Sequence, residues 1–422
     1  MSQPPHLPPQ RQGPRPLALH LGLALTPLLT SGFGLPLLTL ESALWKPALR
    51  PRLRQLLRDL TTAGICPESE KLRGAVDREA RRQMDAVLTG LTRYRHHPYC
   101  RNLPDPPVLW QEGSARLLAY GAPEGRGAAV FFVPSLVNRA YVLDLAPGRS
   151  LMRWLAAQGV RPFLLDWGTP QAAERRFSLT DVIAGRLERA LAQVVRAVGR
   201  PVPVVGYCMG GLLALALAQR RPEQVAGLGL LATPWDFHAQ DAALAIQAAG
   251  LLAPYGMVIE NWGELPLDIL QALFAALDPR LALKKFSQFA AMNPASAAAQ
   301  AFVALEDWLN DGVPLPALVA RDCIAGWYGR NDTACGRWLI AGEAITPQRI
   351  AVPTLALIPA RDRIVPPASA LALARQIPQA QILTPPLGHI GMVVSGGAEK
   401  HVWNPLRQWL EVVGLEAGAN GN

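Results

Sequence analysis

The sequence predicts an α/β fold: a mostly parallel sheet flanked by helices, with a helical cap insertion and an N-terminal, mainly helical segment. Three observations carry that prediction. From about residue 128 apolar strand-like runs alternate with helical ones, the pattern of a parallel sheet covered on both faces. Between Thr233 and about Ile350 the alternation stops in an Ala/Leu-rich stretch containing Trp262, Trp308, Trp327 and Trp338. Finally, a cysteine sits between glycines where a strand hands over to a helix, in Gly206-Tyr207-Cys208-Met209-Gly210.

The elements follow in order. KLRGAVDREARRQMDAVLTGLTRYRHH, residues 71 to 97, places Val76, Ala80, Met84, Val87 and Leu91 at helical spacing. The Pro-rich turns after it put the main boundary near residue 100, between an N-terminal segment over 1–100 and a catalytic domain over 101–422. AAVFFVP (128 to 134) is a buried-strand run ended by Pro134, and SLMRWLAAQG a helix closed by Gly159. RPFLLDWG (161 to 168) is the next strand, and 181 to 199 an amphipathic helix ending in glycine. PVPVVGY, VAGLGLLAT (225 to 233), PTLALIPA (353 to 360) and AQILTPP (380 to 386) supply four more strands. Inserted after a strand, 234–350 reads as a cap over the site that such sheets carry at their C-terminal strand ends.

A chain of 422 residues, half of them hydrophobic and 17% charged, is long enough to bury a large core. Five cysteines without CxxC spacing point to free thiols in a reducing, cytoplasmic setting. The cysteines and histidines show no metal-ligand spacing, and nothing in the sequence calls for a cofactor. The net charge of +9 does not argue for nucleic acid. Residues 1 to 100 hold 14 Lys/Arg and 7 Asp/Glu, so +7 of it lies on the leading segment, which marks a surface or partner contact there. Residues 1 to 16 are rich in Pro and Gln and read as disordered. Residues 16 to 40 carry no charged side chain, but Pro27, Gly32, Gly34 and Pro36 interrupt them. A segment packed on the body, or lying on a lipid or polymer surface, fits better than a spanning helix.

The G-x-nucleophile-x-G turn lifts its central side chain onto a strained strand-to-helix bend. Gly206 and Gly210 are required there because the backbones come too close for a Cβ. Cys208 is then the nucleophile, placed at a helix N-terminus that favours a thiolate. The fold supplies its partners in the order nucleophile, acid, histidine. Of seven histidines, His389 in LGHIGM alone follows the last predicted strand, and Asp362 in ARDRIVPP stands just past the strand before it. Asp322 and Asp332 lie within the cap, while Asp144 and Asp166 come too early in the chain. In this reading His389 deprotonates Cys208, Asp362 holds the imidazole, and the N–H groups of Met209 and Val137 form the oxyanion hole. Sulfur in place of oxygen gives a thioester acyl-enzyme, nearly isoenergetic with a thioester donor and still activated towards a hydroxyl. That logic favours acyl transfer from an acyl-CoA.

VPSLVNRAYVLDL, FLLDWGTP, GYCMGG, ALEDWLNDGVPL, RDRIVPP and GHIGMVVS, in order from about 100 to 410, resemble the motifs of the poly(3-hydroxyalkanoate) synthases of the α/β-hydrolase superfamily. The resemblance implies a 3-hydroxyacyl-CoA substrate, with polyester and free CoA as products. It implies Cys208 as the site of the growing chain, His389 as base, and Asp362 as a group that helps activate the incoming 3-hydroxyl. It further implies a homodimer or a second synthase subunit as partner, and a place at the surface of polyester granules. A thioesterase or intracellular polyester depolymerase of the same fold is the competing reading, with water as the second acceptor.

Overall fold

A computed structural model of the chain describes residues 10–38, 47–121 and 127–419. Residues 1–9 of the Pro- and Gln-rich start, and residues 39 and 40 of the uncharged stretch, lie outside the described residues. The chain forms two compact units, Met1–Cys100 with Phe274–Glu306, and Arg101–Leu273 with Asp307–Asn422.

The larger unit is built on eight strands: β1 (Val108–Glu112), β2 (Ala115–Ala119), β3 (Ala129–Val133), β4 (Arg161–Asp166), β5 (Val202–Tyr207), β6 (Val225–Leu231), β7 (Thr354–Leu357) and β8 (Gln381–Leu383). Their spatial order is β1-β2-β4-β3-β5-β6-β7-β8. The β1–β2 and β2–β4 pairs are antiparallel and every later pair is parallel. β3 and β5 are buried along their whole length, which is why both read as unbroken apolar runs rather than alternating ones. From β3 the chain steps outward to β4 and then returns to β5 on the opposite side of β3. That reversal opens a crevice beyond the C-terminal ends of β3 and β5.

The helix that leaves β5 spans Met209–Arg220 and is buried from Met209 to Gln219. A helix apolar all round has no solvent face and can only lie inside the fold. The predicted helix over 181 to 199 is π-helical at Asp181–Leu187, turns α-helical at Glu188–Val198, and ends on Gly199 at φ +78°. Within this unit the cap stretch is helical at Ala242–Leu252, Gly256–Trp262 and Ala317–Arg321, with a π-helical turn over Asp322–Gly329.

The smaller unit carries α1 (Leu17–Leu29), α2 (Arg50–Thr62), α3 (Glu70–Arg95) and, from the stretch read as cap, α4 (Leu281–Ala290). Ser69 caps α3 by accepting from the Leu72 amide at 3.3 Å, Glu70 lies in the first turn, and Arg93 and Arg95 lie in the last. Each complements the helix dipole. Val87, Leu91 and Tyr94 of α3 pack with Ala282, Phe286 and Phe289 of α4 and with Ala299 and Val303. Phe289 stacks on Phe302 at 4.3 Å between ring centres. The pairing of α3 with α4 is invisible in the linear order, where nearly two hundred residues separate them.

The two helices cross at Gly90, where a Cβ would fall 2.0 Å from the Phe286 carbonyl oxygen. Gly90→Ala therefore forces the helices apart. The expected cost is about 1–3 kcal/mol, seen as an earlier thermal transition by circular dichroism. An unchanged transition would contradict this packing.

Candidate active site

β5 ends at Tyr207, and Cys208 turns the chain into the buried helix with φ 57° and ψ −129°. That is the left-handed side of backbone space, costly for a residue with a Cβ. Two backbone bonds hold it there: the Cys208 amide donates to the Leu231 carbonyl at 2.8 Å, and the Gly211 amide to the Cys208 carbonyl at 2.9 Å. Neighbouring chains crowd the turn. A Cβ on Gly206 would lie 2.4 Å from Gly211 Cα, and one on Gly210 2.1 Å from the Val133 carbonyl oxygen. Glycine is thus a packing requirement at both positions, and the helix start is pressed against the end of β3.

His389 and Asp362 reach the same strand-end level by a zipper of backbone bonds. Past β7 and β8, the amides of Ile358, Ala360 and Arg361 donate to the carbonyls of Leu383, Pro385 and Leu387 at 2.9 Å each. The two loops run together and set the residues side by side. His389 Nδ1 lies 2.7 Å from Asp362 Oδ2, and both residues are buried. The other carboxylate oxygen, Oδ1, accepts the amides of Ile364 at 2.8 Å and Val365 at 2.9 Å. With both oxygens engaged, Asp362 is fixed in orientation and directed at the imidazole.

Burial works against a charged imidazole at His389. The charge of the Cys208 sulfur, the bonds to Asp362 and Cys208, and the charge of Asp362 outweigh it and push the imidazole up to about 10. The favoured resting form is an imidazolium that faces sulfur on one side and a carboxylate on the other. Tyr207 adds a brace that the sequence reading missed, although it stands inside the motif. Its hydroxyl donates to the His389 carbonyl at 3.1 Å, and its ring lies 5.3 Å from the imidazole. Burial, then the charges of Cys208 and Asp362, hold its phenol well above the ordinary range.

The remaining expected residues fall as follows. Met209 opens the helix, so its N–H is a first-turn donor with no helical acceptor. The Val137 amide, on the loop after β3, donates to Ser135 Oγ at 3.2 Å; service as an oxyanion donor would require it to leave that bond. In the cap, Asp332 accepts from Arg330 and Arg337, and the His238 ring donates to the Tyr328 carbonyl at 2.8 Å. Tyr328, not anticipated from the sequence, is partly exposed and sets its ring 4.7 Å from that of Phe237. Asp144 lies apart, a buried carboxylate bonded by Arg101, Tyr120, Ser150 and Arg153.

This strand order, with a glycine-flanked cysteine turn after β5 and an aspartate and a histidine after β7 and β8, defines the α/β-hydrolase class. A family model described as the alpha/beta hydrolase fold matches residues 129–395. The chain is 30% identical over 294 residues to the poly(3-hydroxyalkanoate) polymerase subunit PhaC of Allochromatium vinosum, covering 69% of this chain and 82% of that one. It is 28% identical to the PhaC of Synechocystis sp., over 67% of this chain and 77% of that one. Against the PhaC of Thiocystis violacea the identity is 27%, over 72% and 87%. The chain belongs to the poly(3-hydroxyalkanoate) polymerase family, and it is an enzyme of the acyltransferase type.

Two variants test the geometry. In Cys208→Ala the largest influence that raises His389 is gone, so its imidazole titrates lower by NMR than in the parent; an unmoved titration would dissociate sulfur from ring. In the parent, a group raised above 6.5 contributes stability that is fully present below that pH and fades as pH rises through about 10. The variant's melting temperature should vary less over that window. Tyr207→Phe removes the brace on the His389 loop and should cost about 1 kcal/mol in chemical denaturation.

Proposed function

We propose that the enzyme polymerises 3-hydroxyacyl groups delivered as CoA thioesters, releasing CoA and extending a polyester held covalently on Cys208. The observation that carries this reading is the buried His389–Asp362 pair beside a cysteine, rather than a serine, at the nucleophile turn of a polymerase-family chain.

With the proton shared between the two residues already held on His389 Nε2, Cys208 Sγ attacks the carbonyl carbon of the acyl-CoA. The tetrahedral oxyanion is met by the Met209 N–H at the helix start, with the Val137 N–H as second donor once it leaves Ser135. The C–S bond to CoA breaks, His389 returns its proton to the departing thiolate, and a thioester remains on Cys208. In the second half, the 3-hydroxyl of a hydroxyacyl group gives its proton to His389 and its oxygen attacks the Cys208 thioester. An ester forms and the cysteine sulfur leaves. Because that hydroxyl belongs to an incoming 3-hydroxyacyl-CoA, the lengthened chain is then the acyl group of a CoA thioester; Cys208 Sγ attacks its carbonyl, CoA leaves, and the chain is again held on Cys208. Asp362, with one oxygen on the ring and the other on two amides, acts on the hydroxyl through His389 by orienting it and stabilising its charged form.

A cysteine suits this chemistry because exchange between two thiols is nearly balanced, whereas ester formation from a thioester runs downhill. Each step therefore proceeds without a further energy source.

Incubation with 3-hydroxybutyryl-CoA, following CoA release and polymer together, tests the proposal. CoA release matched by polymer is expected. CoA release matched by free 3-hydroxy acid would make the enzyme a hydrolase instead. Cys208→Ala should abolish both signals, and Asp362→Asn should lower the rate by on the order of 10⁴-fold, as removal of the orienting acid does in related triads. Retained polymer synthesis in Cys208→Ala would overturn the proposed intermediate.

A further inference from the structure

The smaller unit exposes apolar surface that its own fold does not use. In α1 and the 3₁₀ stretch Ser31–Leu38 that follows it, Ala24 and Leu35 are the buried residues, although charged side chains are absent from 16 to 40. Leu29 is 65% exposed and Phe33 81% exposed, and Leu37 is exposed beside them in sequence. A soluble fold normally turns such side chains inward, and a large exposed apolar patch marks a contact with something else.

The adjoining element supplies the charge. α2 reads RPRLRQLLRDLTT, with Leu53, Leu56, Leu57 and Leu60 at i, i+3, i+4 and i+7. At 100° per residue these leucines form one stripe. Arg50, Arg54 and Arg58 flank it on one side and Arg52 on the other, and all four arginines are exposed. Leu56 remains 43% exposed within that stripe. An apolar stripe bordered by arginines is the form of a helix that lies in an interface, with its leucines among acyl chains and its guanidinium groups reaching up to phosphates.

Neither helix is suited to cross a bilayer. α1 has 13 residues, and it meets the following 3₁₀ stretch at a bend of 44°, short of the ~20 straight apolar residues a span needs. Arginines alone would also suit a nucleic acid, but Leu29, Phe33 and Leu56 have no counterpart in phosphate recognition.

We propose that this unit seats the enzyme peripherally on an anionic phospholipid surface, through the Leu29–Phe33–Leu37 face and the Arg-flanked stripe of α2. The proposal is independent of the reaction assigned above.

Co-sedimentation of the full-length enzyme with vesicles tests it. Binding is expected to vesicles of phosphatidylcholine mixed with phosphatidylglycerol, to be weak with phosphatidylcholine alone, and to fall as salt rises. Leu29→Asp/Phe33→Asp should reduce partitioning at least roughly tenfold. Arg54→Glu/Arg58→Glu should reduce it by a similar factor, on anionic vesicles only. All four positions are exposed, so unchanged circular dichroism and unchanged CoA release would show that the variants are folded. Equal binding to neutral and anionic vesicles would overturn the proposal in favour of a purely apolar surface such as the polymer. Retention through an alkaline carbonate wash would overturn it in favour of insertion. Tight binding of RNA with no vesicle binding would overturn it in favour of a nucleic-acid contact.

Discussion

The close approach of a helix start to the ends of two strands is the constraint on which the rest of the larger unit depends. Gly210 lets the helix touch the Val133 carbonyl, and Gly206 lets β5 run directly under Gly211. Between them Cys208 is held at a positive φ that a side chain avoids when free to choose. Such a residue costs of order 1–3 kcal/mol, and a helix buried on every side from Met209 to Gln219 outweighs it. The strain leaves the sulfur on the crevice side, at the N-terminal end of the helix. A relaxed cysteine in the same sequence would continue either the strand or the helix and face the core.

Once the sulfur is fixed, electrostatics decides what stands beside it. A buried imidazole would ordinarily be neutral. Here the sulfur and the carboxylate on its two sides reverse that preference. Asp362 can remain in so buried a place because its second oxygen is met by two backbone amides rather than by water. The hydroxyl of Tyr207 on the His389 carbonyl ties the His389 loop to the residue just before Cys208. Two parts of the chain some 180 residues apart are thereby joined.

The two units hold their charge differently. The larger one answers its buried charges internally, as at Asp144 with its two arginines, serine and tyrosine, or at Glu188 with Arg220 and Arg221. The leading segment instead holds +7 of the net +9 alongside its uncharged stretch. Its exposed arginines and apolar side chains are not consumed in building a core, which for α3 comes from Phe286, Phe289 and their neighbours.

Much of this was legible in the linear sequence because it rests on local signals. Strand and helix alternation, the glycine spacing around Cys208, and the positions of Asp362 and His389 after the last strands are each written within a few residues, and backbone sterics and burial translate them directly. What the sequence could not decide depends on partners distant along the chain. The pairing of α3 with α4 requires residues 274–306 to leave the stretch read as cap, a choice set by which apolar faces fit. Tyr207 as a brace on the His389 loop exists only once segments from separate strands are laid together. Residue types and spacing fix which groups are available. Only close packing in three dimensions settles which of them touch, because a side chain's partner is chosen by the geometry of the whole and not by its neighbours in sequence.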